Sequence, residues 1–167
     1  SDLGELLAPL LSGDDVGIIS EAGCPGIADP GAELVLLAHR NGIRVVPLVG
    51  PSSILLALMA SGLNGQRFAF HGYLPIAEAE RNKAIASLEA ESAKLCQTQL
   101  FIETPYRNEK MLSALLAHCR PHTLLCVATD ITLPGEQIRT RSIEQWNIQP
   151  APLLNKHPSI FLLLGTS

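Results

Sequence analysis

The sequence lacks an excess of positive charge, a CxxC pair of cysteines and any long apolar run, and each absence excludes a class of protein. Its 12 Lys and Arg residues face 16 Asp and Glu residues, so the net charge of −4 gives no general attraction for nucleic acid or an anionic membrane. The four cysteines form no CxxC pair, which indicates free or buried thiols in a reducing compartment. With no signal peptide and no run long enough to cross a bilayer, we expect a cytoplasmic protein that is not a membrane partner.

The motifs of several common catalytic and binding sites are missing as well. The chain has no P-loop lysine, no GxGxxG dinucleotide turn and no GxSxG nucleophile elbow, so a triphosphate site, a dinucleotide site and a hydrolase triad are not expected. The histidines show no metal-like spacing, and we predict no metal site. Among them, His71 stands out because it lies just before a predicted domain junction.

The composition and the order of elements are those of an α/β protein. Apolar residues make up 47% of the 167 residues and charged residues 17%, which is a globular composition. Strands with continuous apolar runs alternate with helices in the first part, which predicts a mostly parallel sheet covered on both faces. The predicted elements here are the helix Leu3–Leu11, the buried strand Asp15–Ser20, the helix Gly31–Arg40, the buried strand Ile43–Val49, the helix Ser53–Ser61 and the strand Phe68–His71.

The pattern changes near Tyr73–Ala77, and we place a domain boundary there. Residues 1–72 would form an incomplete N-terminal α/β domain and residues 73–167 a C-terminal α/β domain. Because the first strand follows so closely on the start, we expect an excised piece of a longer protein. The predicted elements of the second part are the surface helix Glu78–Leu95, the strand Thr98–Glu103, the helix Pro105–Cys119, the strand Thr123–Thr129, the exposed edge strand Glu136–Arg141, the helical turn Ser142–Trp146 and the buried strand Ser159–Gly165.

Two loops rich in glycine and proline, Ser20–Gly31 and Val49–Ser53, follow the first two predicted strands. Ligands of open α/β sheets bind outside the carboxyl ends of strands, and such loops let a ligand reach the backbone. The plainer interpretation of Asp29 and Pro30 is a helix start, with an N-cap followed by proline. Glu21 has no capping role, so a ligand-binding role is favoured for it.

A third strand end, Glu103–Arg107, has the same layout. Thr104 and Pro105 again suit a helix start, which leaves Glu103 and Arg107 without a structural role. Trp146 is predicted to be a core residue and not a ligand contact.

Four ordered stretches carry a resemblance to a known family: IISEAGCPGIADPGAELV, IRVVPLVGPSSILLALMASGL, FAFHGYLP and LFIETPYRNEKML. Together they resemble the tetrapyrrole methylase superfamily of S-adenosylmethionine-dependent methyltransferases, nearest the branch that methylates the 2′-oxygen of small-subunit ribosomal RNA. The resemblance implies two α/β domains with a cleft between them, a mostly parallel sheet in the first and a mixed sheet in the second. The family's opening strand and its glycine-rich, substrate-facing first loop have no counterpart here, so this piece is expected to be catalytically incomplete.

The resemblance also implies a cofactor, a set of site residues and a homodimer. S-adenosylmethionine would contact both domains. The residues implied in the first part of the chain are Glu21, Ala22, Gly23, Pro25, Pro51, Ser52 and Ser53. Those implied in the second domain are Ile102, Glu103, Thr104, Ala128 and the start of the last strand. Methyl transfer to an RNA hydroxyl would benefit from a general base, and Glu103 and Asp29 are the candidates.

Three alternatives to an RNA methyltransferase stay open. The acidic charge balance counts against RNA, so a tetrapyrrole or another small molecule is the alternative substrate. A cofactor-binding protein of this fold without turnover is the second alternative. The third is an ordinary nucleotide-binding α/β domain.

Overall fold

The computed structural model describes residues 3–149 and 153–166. Three helices, α1, α3 and α4, have the bounds expected from the sequence, and the strands from residue 68 onwards agree within two residues at each end. In order, the elements are α1 (Leu3–Leu11), α2 (Ala32–Arg40), α3 (Ser53–Ser61), β1 (Phe68–Tyr73), α4 (Glu78–Leu95), β2 (Thr98–Ile102), a 3₁₀ turn (Pro105–Arg107), α5 (Asn108–His118), β3 (Leu124–Thr129), β4 (Gln137–Ser142), α6 (Ile143–Ile148) and β5 (Ser159–Leu164).

In the described part of the chain, five strands form one mixed sheet in the order β1-β2-β5-β3-β4. Strands β1 and β2 are parallel, whereas β5 runs antiparallel to both β2 and β3, and β4 runs antiparallel to β3. Strand β4 lies at one edge of the sheet, as its alternating polar sequence predicts. Because β1, β2 and β3 share one direction, their carboxyl ends lie at the same edge of the sheet as the first residues of β4 and β5. We call this the carboxyl edge.

The two faces of the sheet bury two separate apolar clusters, since successive residues of a strand point to opposite faces. On one face, Phe101 and Phe161 stack with ring centroids 5.8 Å apart among residues of α4, α5 and α6. Trp146 belongs to this cluster and donates its indole N–H to the Leu125 carbonyl at 2.9 Å, so the prediction of a core role is confirmed. On the opposite face, α3 covers a cluster with Ala57 and Leu58 at its centre.

Helix α4 is held by two buried polar side chains, one within its seam and one beside it. The buried Ser92 hydroxyl donates to the Gln97 carbonyl at 2.6 Å and accepts from the Gly165 amide at 2.8 Å. The buried Glu89 carboxylate accepts from the Arg120 amide at 2.7 Å and from the Thr123 hydroxyl at 2.5 Å. These bonds join α4 to the end of β5 and to the segment that enters β3.

The segments predicted as buried strands in the first part, Asp15–Ser20 and Ile43–Val49, differ from expectation. Both are irregular and mostly exposed, with Ile19 at 92% and Leu48 at 88% exposure. A strand needs a neighbour for its backbone N–H and C=O groups, and no described residue forms a ladder with either segment. The mostly parallel sheet predicted for the first domain therefore has no counterpart among described residues 3–67.

Two compact units, Ser1–Ser52 and Ser53–Ser167, divide the chain. In the first unit α1 packs against α2, with Leu7, Leu34 and Ala38 buried. Residues 53–72 group with the second unit because α3 covers its sheet and β1 pairs with β2. The domain boundary after residue 72 stays a prediction. Among the described residues, no helix combines the length and the apolar character needed to cross a membrane.

Candidate functional site

Two residues predicted from the resemblance to contact a cofactor lie in one row at the carboxyl edge. Ile160, near the start of β5, pairs with Ile102 of β2 on one side and with Ala128 of β3 on the other. All three belong to the apolar cluster on the α3 face, where Ala128 is fully buried and Ile102 is half-buried. The structure thus brings together the second-unit segments that the sequence pointed to separately.

Glu103 directly follows β2, and its carboxylate is engaged by its own turn. Its Oε1 accepts from the Thr104 amide at 2.6 Å and from the Arg107 guanidinium at 2.8 Å, and the hydrogen bond that Arg107 donates to Glu103 raises the pKa of Arg107. The statement that Glu103 and Arg107 lack a structural role is therefore wrong, because they close the turn as an ion pair. Thr104 is the N-cap of the 3₁₀ turn and Pro105 its first residue, but the Thr104 side chain makes no capping bond.

The buried side chain of Asn108 ties α5 to the segment that leads into β5. Its Nδ2 donates to the His157 carbonyl at 2.7 Å and to the Leu154 carbonyl at 3.4 Å. The Lys156 amide donates to the Pro105 carbonyl at 3.1 Å, which joins the same segment to the turn after β2. Residues 154–157 are therefore fixed against the carboxyl edge from two directions.

A further group of polar side chains at this edge was not identified from the sequence. Asp130, the residue after β3, places its Oδ2 2.7 Å from Nδ1 of His157. Next to them, the Thr129 and Ser159 hydroxyl groups lie 3.0 Å apart on paired residues of β3 and β5. The position of Asp130 directly after a predicted strand is the signal in the sequence that could have indicated a site residue. His157 carries no such signal, because its spacing from the other histidines is not that of a metal site.

In the first unit the structure brings the two predicted loops into contact. The Cys24 thiol donates to the Pro51 carbonyl, with 3.4 Å between sulfur and oxygen. The first loop is shaped by its own backbone, because the Gly26 amide donates to the Pro30 carbonyl at 3.3 Å. Gly23 and Gly26 both have φ of +75°, a conformation that favours glycine, and no heavy atom lies within 4 Å of the place where a Gly23 Cβ would stand.

The interpretation of Asp29 and Pro30 as a helix start is wrong. Helix α2 begins at Ala32, its N-cap is Gly31 with φ of +130°, and no side chain makes a capping bond there. Asp29 is exposed in the loop, as are Glu21, Ala22 and Pro25. Of the second loop, Pro51 is exposed and Ser52 half-buried; Ser53, in the second unit, is the exposed first residue of α3.

His71 and two buried cysteines lie outside the groups of residues described above. His71 is exposed on β1, with Nε2 2.5 Å from the Gln99 side-chain oxygen. Burial raises the pKa of the Cys119 thiol to about 12, with a smaller contribution from the Glu89 carboxylate, and burial also raises the pKa of Cys126. No cluster of three or more metal-ligating side chains occurs in the part of the chain that the structure describes.

The sequence matches known proteins over most of its length. The profile of the tetrapyrrole (corrin/porphyrin) methylase family matches residues 4–146. Proteins named ribosomal RNA small subunit methyltransferase I are similar to it. One from Mesorhizobium japonicum is 37% identical over 83% of this chain and 46% of its own length. Another, from Escherichia coli O157:H7, is 37% identical over 80% of this chain and 45% of its own length. The chain thus spans about half the length of these curated relatives.

The fold agrees with this match. A crystal structure of the methyltransferase CobJ covers 98% of this chain with a TM-score of 0.64, and the chain covers 70% of that structure. At 19% identity this likeness concerns the fold alone. Because the family profile spans both units and the relatives exceed one-third identity over most of the chain, this chain belongs to the tetrapyrrole (corrin/porphyrin) methylase family.

Proposed function

We propose that the protein containing this chain transfers a methyl group from S-adenosylmethionine to small-subunit ribosomal RNA. The observation that carries the proposal is the 37% identity, over 83% of this chain, to a relative named ribosomal RNA small subunit methyltransferase I. The acceptor we infer is a ribose 2′-hydroxyl group, as the resemblance of the motifs implies. The substrate, the activity and the assembly of the whole protein are all part of this proposal.

The residues proposed to bind the methyl donor are those that the resemblance implies. They fit such a ligand in chemistry, because Gly23 leaves open space beside its backbone and the apolar side chain of Ile102, at the carboxyl edge, is only half-buried. S-adenosylmethionine supplies a methyl group on a sulfonium, and backbone carbonyl groups tolerate that positive charge. The set comprises Glu21, Ala22, Gly23, Pro25, Pro51 and Ser52 of the first unit and Ser53, Ile102, Glu103, Thr104 and Ala128 of the second.

The catalytic contribution expected of this chain is mostly positioning. Methyl transfer is an in-line displacement, so holding the acceptor oxygen and the methyl group close and excluding water supply most of the rate. Glu103 suits a positioning role better than that of a base, because its Oε1 already accepts two hydrogen bonds. Asp29 stays a candidate base in the first unit.

The test combines binding with transfer. Calorimetry with S-adenosylhomocysteine, on this chain and on the full-length protein, is expected to show binding at least by the full-length protein. Tritium from labelled S-adenosylmethionine should then enter unmodified transcripts of small-subunit ribosomal RNA. Transfer to uroporphyrinogen instead would assign a tetrapyrrole substrate, and binding without transfer to either would favour a non-catalytic protein. Absence of binding, or displacement of the ligand by nucleotides, would refute the methyltransferase.

A substitution in α3 tests the placement of the donor site. Ser53→Phe adds a bulky ring at an exposed helix start that we assign to the ligand, so affinity for S-adenosylhomocysteine should fall at least about tenfold, as expected for a steric block in a preformed site. Ser113→Phe, on the exposed side of α5, is the matched control and should bind as the unaltered protein does. Equal affinities for the two variants would contradict the placement.

We also propose a cytoplasmic homodimer, following the resemblance. Sedimentation equilibrium of the full-length protein should give twice the mass of one chain. A single-chain mass at all concentrations would exclude the dimer.

A further inference from the structure

The Asp130–His157 pair has the geometry of an oriented imidazole. Oδ2 of Asp130 lies 2.7 Å from Nδ1 of His157, so the carboxylate accepts the Nδ1 proton and leaves Nε2 as the nitrogen with a lone pair. The His157 side chain is 48% exposed and the Asp130 side chain only 13%. Within the described residues, no hydrogen bond occupies Nε2. The imidazole is thus held from behind and accessible from outside.

The pair lies close along the chain to residues that we assign to the methyl donor, and backbone hydrogen bonds join it to the same edge of the sheet. Asp130 comes two residues after Ala128, and His157 comes three residues before Ile160, which pairs with Ala128. The Asp130 amide donates to the Pro158 carbonyl at 3.0 Å, and the Lys156 amide donates to the carbonyl of Pro105, two residues after Glu103. His157 is therefore built into the same carboxyl edge as the donor residues of the second unit.

Unfavourable backbone conformations occur at the same place. Among the described non-glycine residues, five have positive φ, and three of these are Asp130 at +51°, Thr132 at +70° and Lys156 at +72°. Each such residue costs free energy, and such conformations tend to cluster at functional sites. The Asn108 side chain adds a buried hydrogen bond to the His157 carbonyl. Several interactions thus keep this histidine in one place.

We propose that His157 is the catalytic base of the methyl transfer and that Asp130 is the residue that positions it. The inference rests on the proposed function. As the acceptor oxygen forms its bond to the methyl carbon, the bond between sulfur and that carbon breaks and its electron pair stays on sulfur. The acceptor hydroxyl proton passes to Nε2 of His157, which becomes an imidazolium paired with Asp130. The products are a methyl ether and S-adenosylhomocysteine, and the proton later leaves to water.

This assignment explains an arrangement that the sequence candidates do not. Glu103 has its Oε1 engaged by Arg107 and the Thr104 amide, whereas His157 offers a nitrogen with no described partner. An aspartate behind the imidazole selects the tautomer that accepts a proton at Nε2 and stabilises the imidazolium that forms.

The experiment uses the full-length protein and three variants: His157→Ala, His157→Gln and Asp130→Asn. His118→Gln, at the exposed end of α5, is the matched control. Single-turnover transfer of tritium to small-subunit ribosomal RNA transcripts measures the methyl transfer itself. Calorimetry with S-adenosylhomocysteine reports whether each variant folds and binds. Nitrogen-15 NMR of the histidine rings gives a readout independent of activity, because it identifies which nitrogen of His157 carries the proton.

We expect both His157 variants to bind S-adenosylhomocysteine as the unaltered protein does and to transfer methyl groups at least about 100-fold more slowly, the usual contribution of a general base. Added imidazole should raise the rate of His157→Ala but not that of His118→Gln. Asp130→Asn should slow the transfer at least about tenfold and shift the His157 proton away from Nδ1.

Three results would overturn the proposal. Transfer by both His157 variants at the unaltered rate would remove the base, while leaving the methyltransferase function intact. Loss of ligand binding in both variants, without rescue by imidazole, would make His157 a structural residue. An NMR spectrum with the proton on Nε2 would exclude the tautomer required. Absence of transfer by the unaltered protein would instead refute the proposed function, and this inference with it.

Discussion

Replacement of the buried Glu89 tests how the second unit is held together. Oε1 of Glu89 accepts from the Arg120 amide and the Thr123 hydroxyl, so one carboxylate joins α4 to the start of β3. Hydrogen bonds to a charged group stabilise by about 1.5–3 kcal/mol, roughly twice the value for neutral partners. Glu89→Gln keeps an acceptor oxygen but removes the charge, so we expect the free energy of unfolding to fall by about 1–3 kcal/mol.

Glu89→Ala removes the acceptor as well and should cost more. The Thr123 hydroxyl has no exposure to water, and leaving a buried donor unpaired costs about 1–3 kcal/mol in addition to the lost bond. We expect a total loss of about 3 kcal/mol or more, measured by urea unfolding at neutral pH. Glu91→Gln, on the exposed side of α4, is the matched control and should stay within about 0.5 kcal/mol of the unaltered protein.

A second readout separates the charge of Glu89 from its packing. Glu89 contributes to the raised pKa of Cys119, so Glu89→Gln should lower that pKa, while burial, the larger cause, keeps it above the ordinary thiol range. Ultraviolet absorbance of the thiolate during a pH titration measures the change. The reasoning fails if Glu89→Gln is as stable as Glu91→Gln and the Cys119 titration is unchanged, because Glu89 would then make no energetic contact.

Three further predictions each concern one residue. Gly165→Ala would place a Cβ 2.6 Å from the Glu89 carbonyl oxygen, so urea unfolding should show a loss of about 1–3 kcal/mol, and an equally stable variant would contradict the close approach. Unfolded chains release the Cys119 proton near pH 9 and the folded chain near 12, so stability should fall as pH rises across that window, by at most about 1.4 kcal/mol per pH unit, and Cys119→Ala should flatten the fall. Arg107→Met should weaken S-adenosylhomocysteine binding several-fold in calorimetry, whereas Lys110→Met, in the following helix α5, should not.

The elements of the second unit could be predicted because local signals agree with their surroundings. Helix α4 has the predicted bounds, since its seam at Ile85, Leu88 and Ser92 recurs at helical spacing and is buried. Strands β3 and β5 are apolar except at Thr129, the last residue of β3, and Ser159, the first residue of β5, because both faces of these strands are covered. The buried Glu89 was missed, because a carboxylate one residue from the seam looks like part of a charged surface until its partners are known.

The first unit shows the limit of the same reasoning. The apolar sequences of Asp15–Ser20 and Ile43–Val49 favour strands, but a strand exists only where neighbouring backbone completes its ladder. Whether a segment pairs with another strand depends on its neighbours in the fold. The sequence of the segment therefore indicates a preference for extended backbone but does not determine whether a strand forms. The exposed Ile19 and Leu48 carry the same information in another form, since apolar surface of this size is normally covered by a neighbour.

The candidate site combines both cases. Ile102 and Ala128 were assigned through motifs, and the register of β5 places both beside Ile160. The contact between Asp130 and His157 could not be assigned in that way, because the two residues are 27 positions apart and each precedes or follows a strand whose order in the sheet is not written in either segment. The strand order creates this contact, because β5, the last strand of the chain, lies between β2 and β3. His157, two residues before β5, therefore lies at the carboxyl edge beside the end of β3. The strand order therefore determines that His157 lies beside Asp130. A local sequence motif does not contain the strand order, so it could not predict this contact.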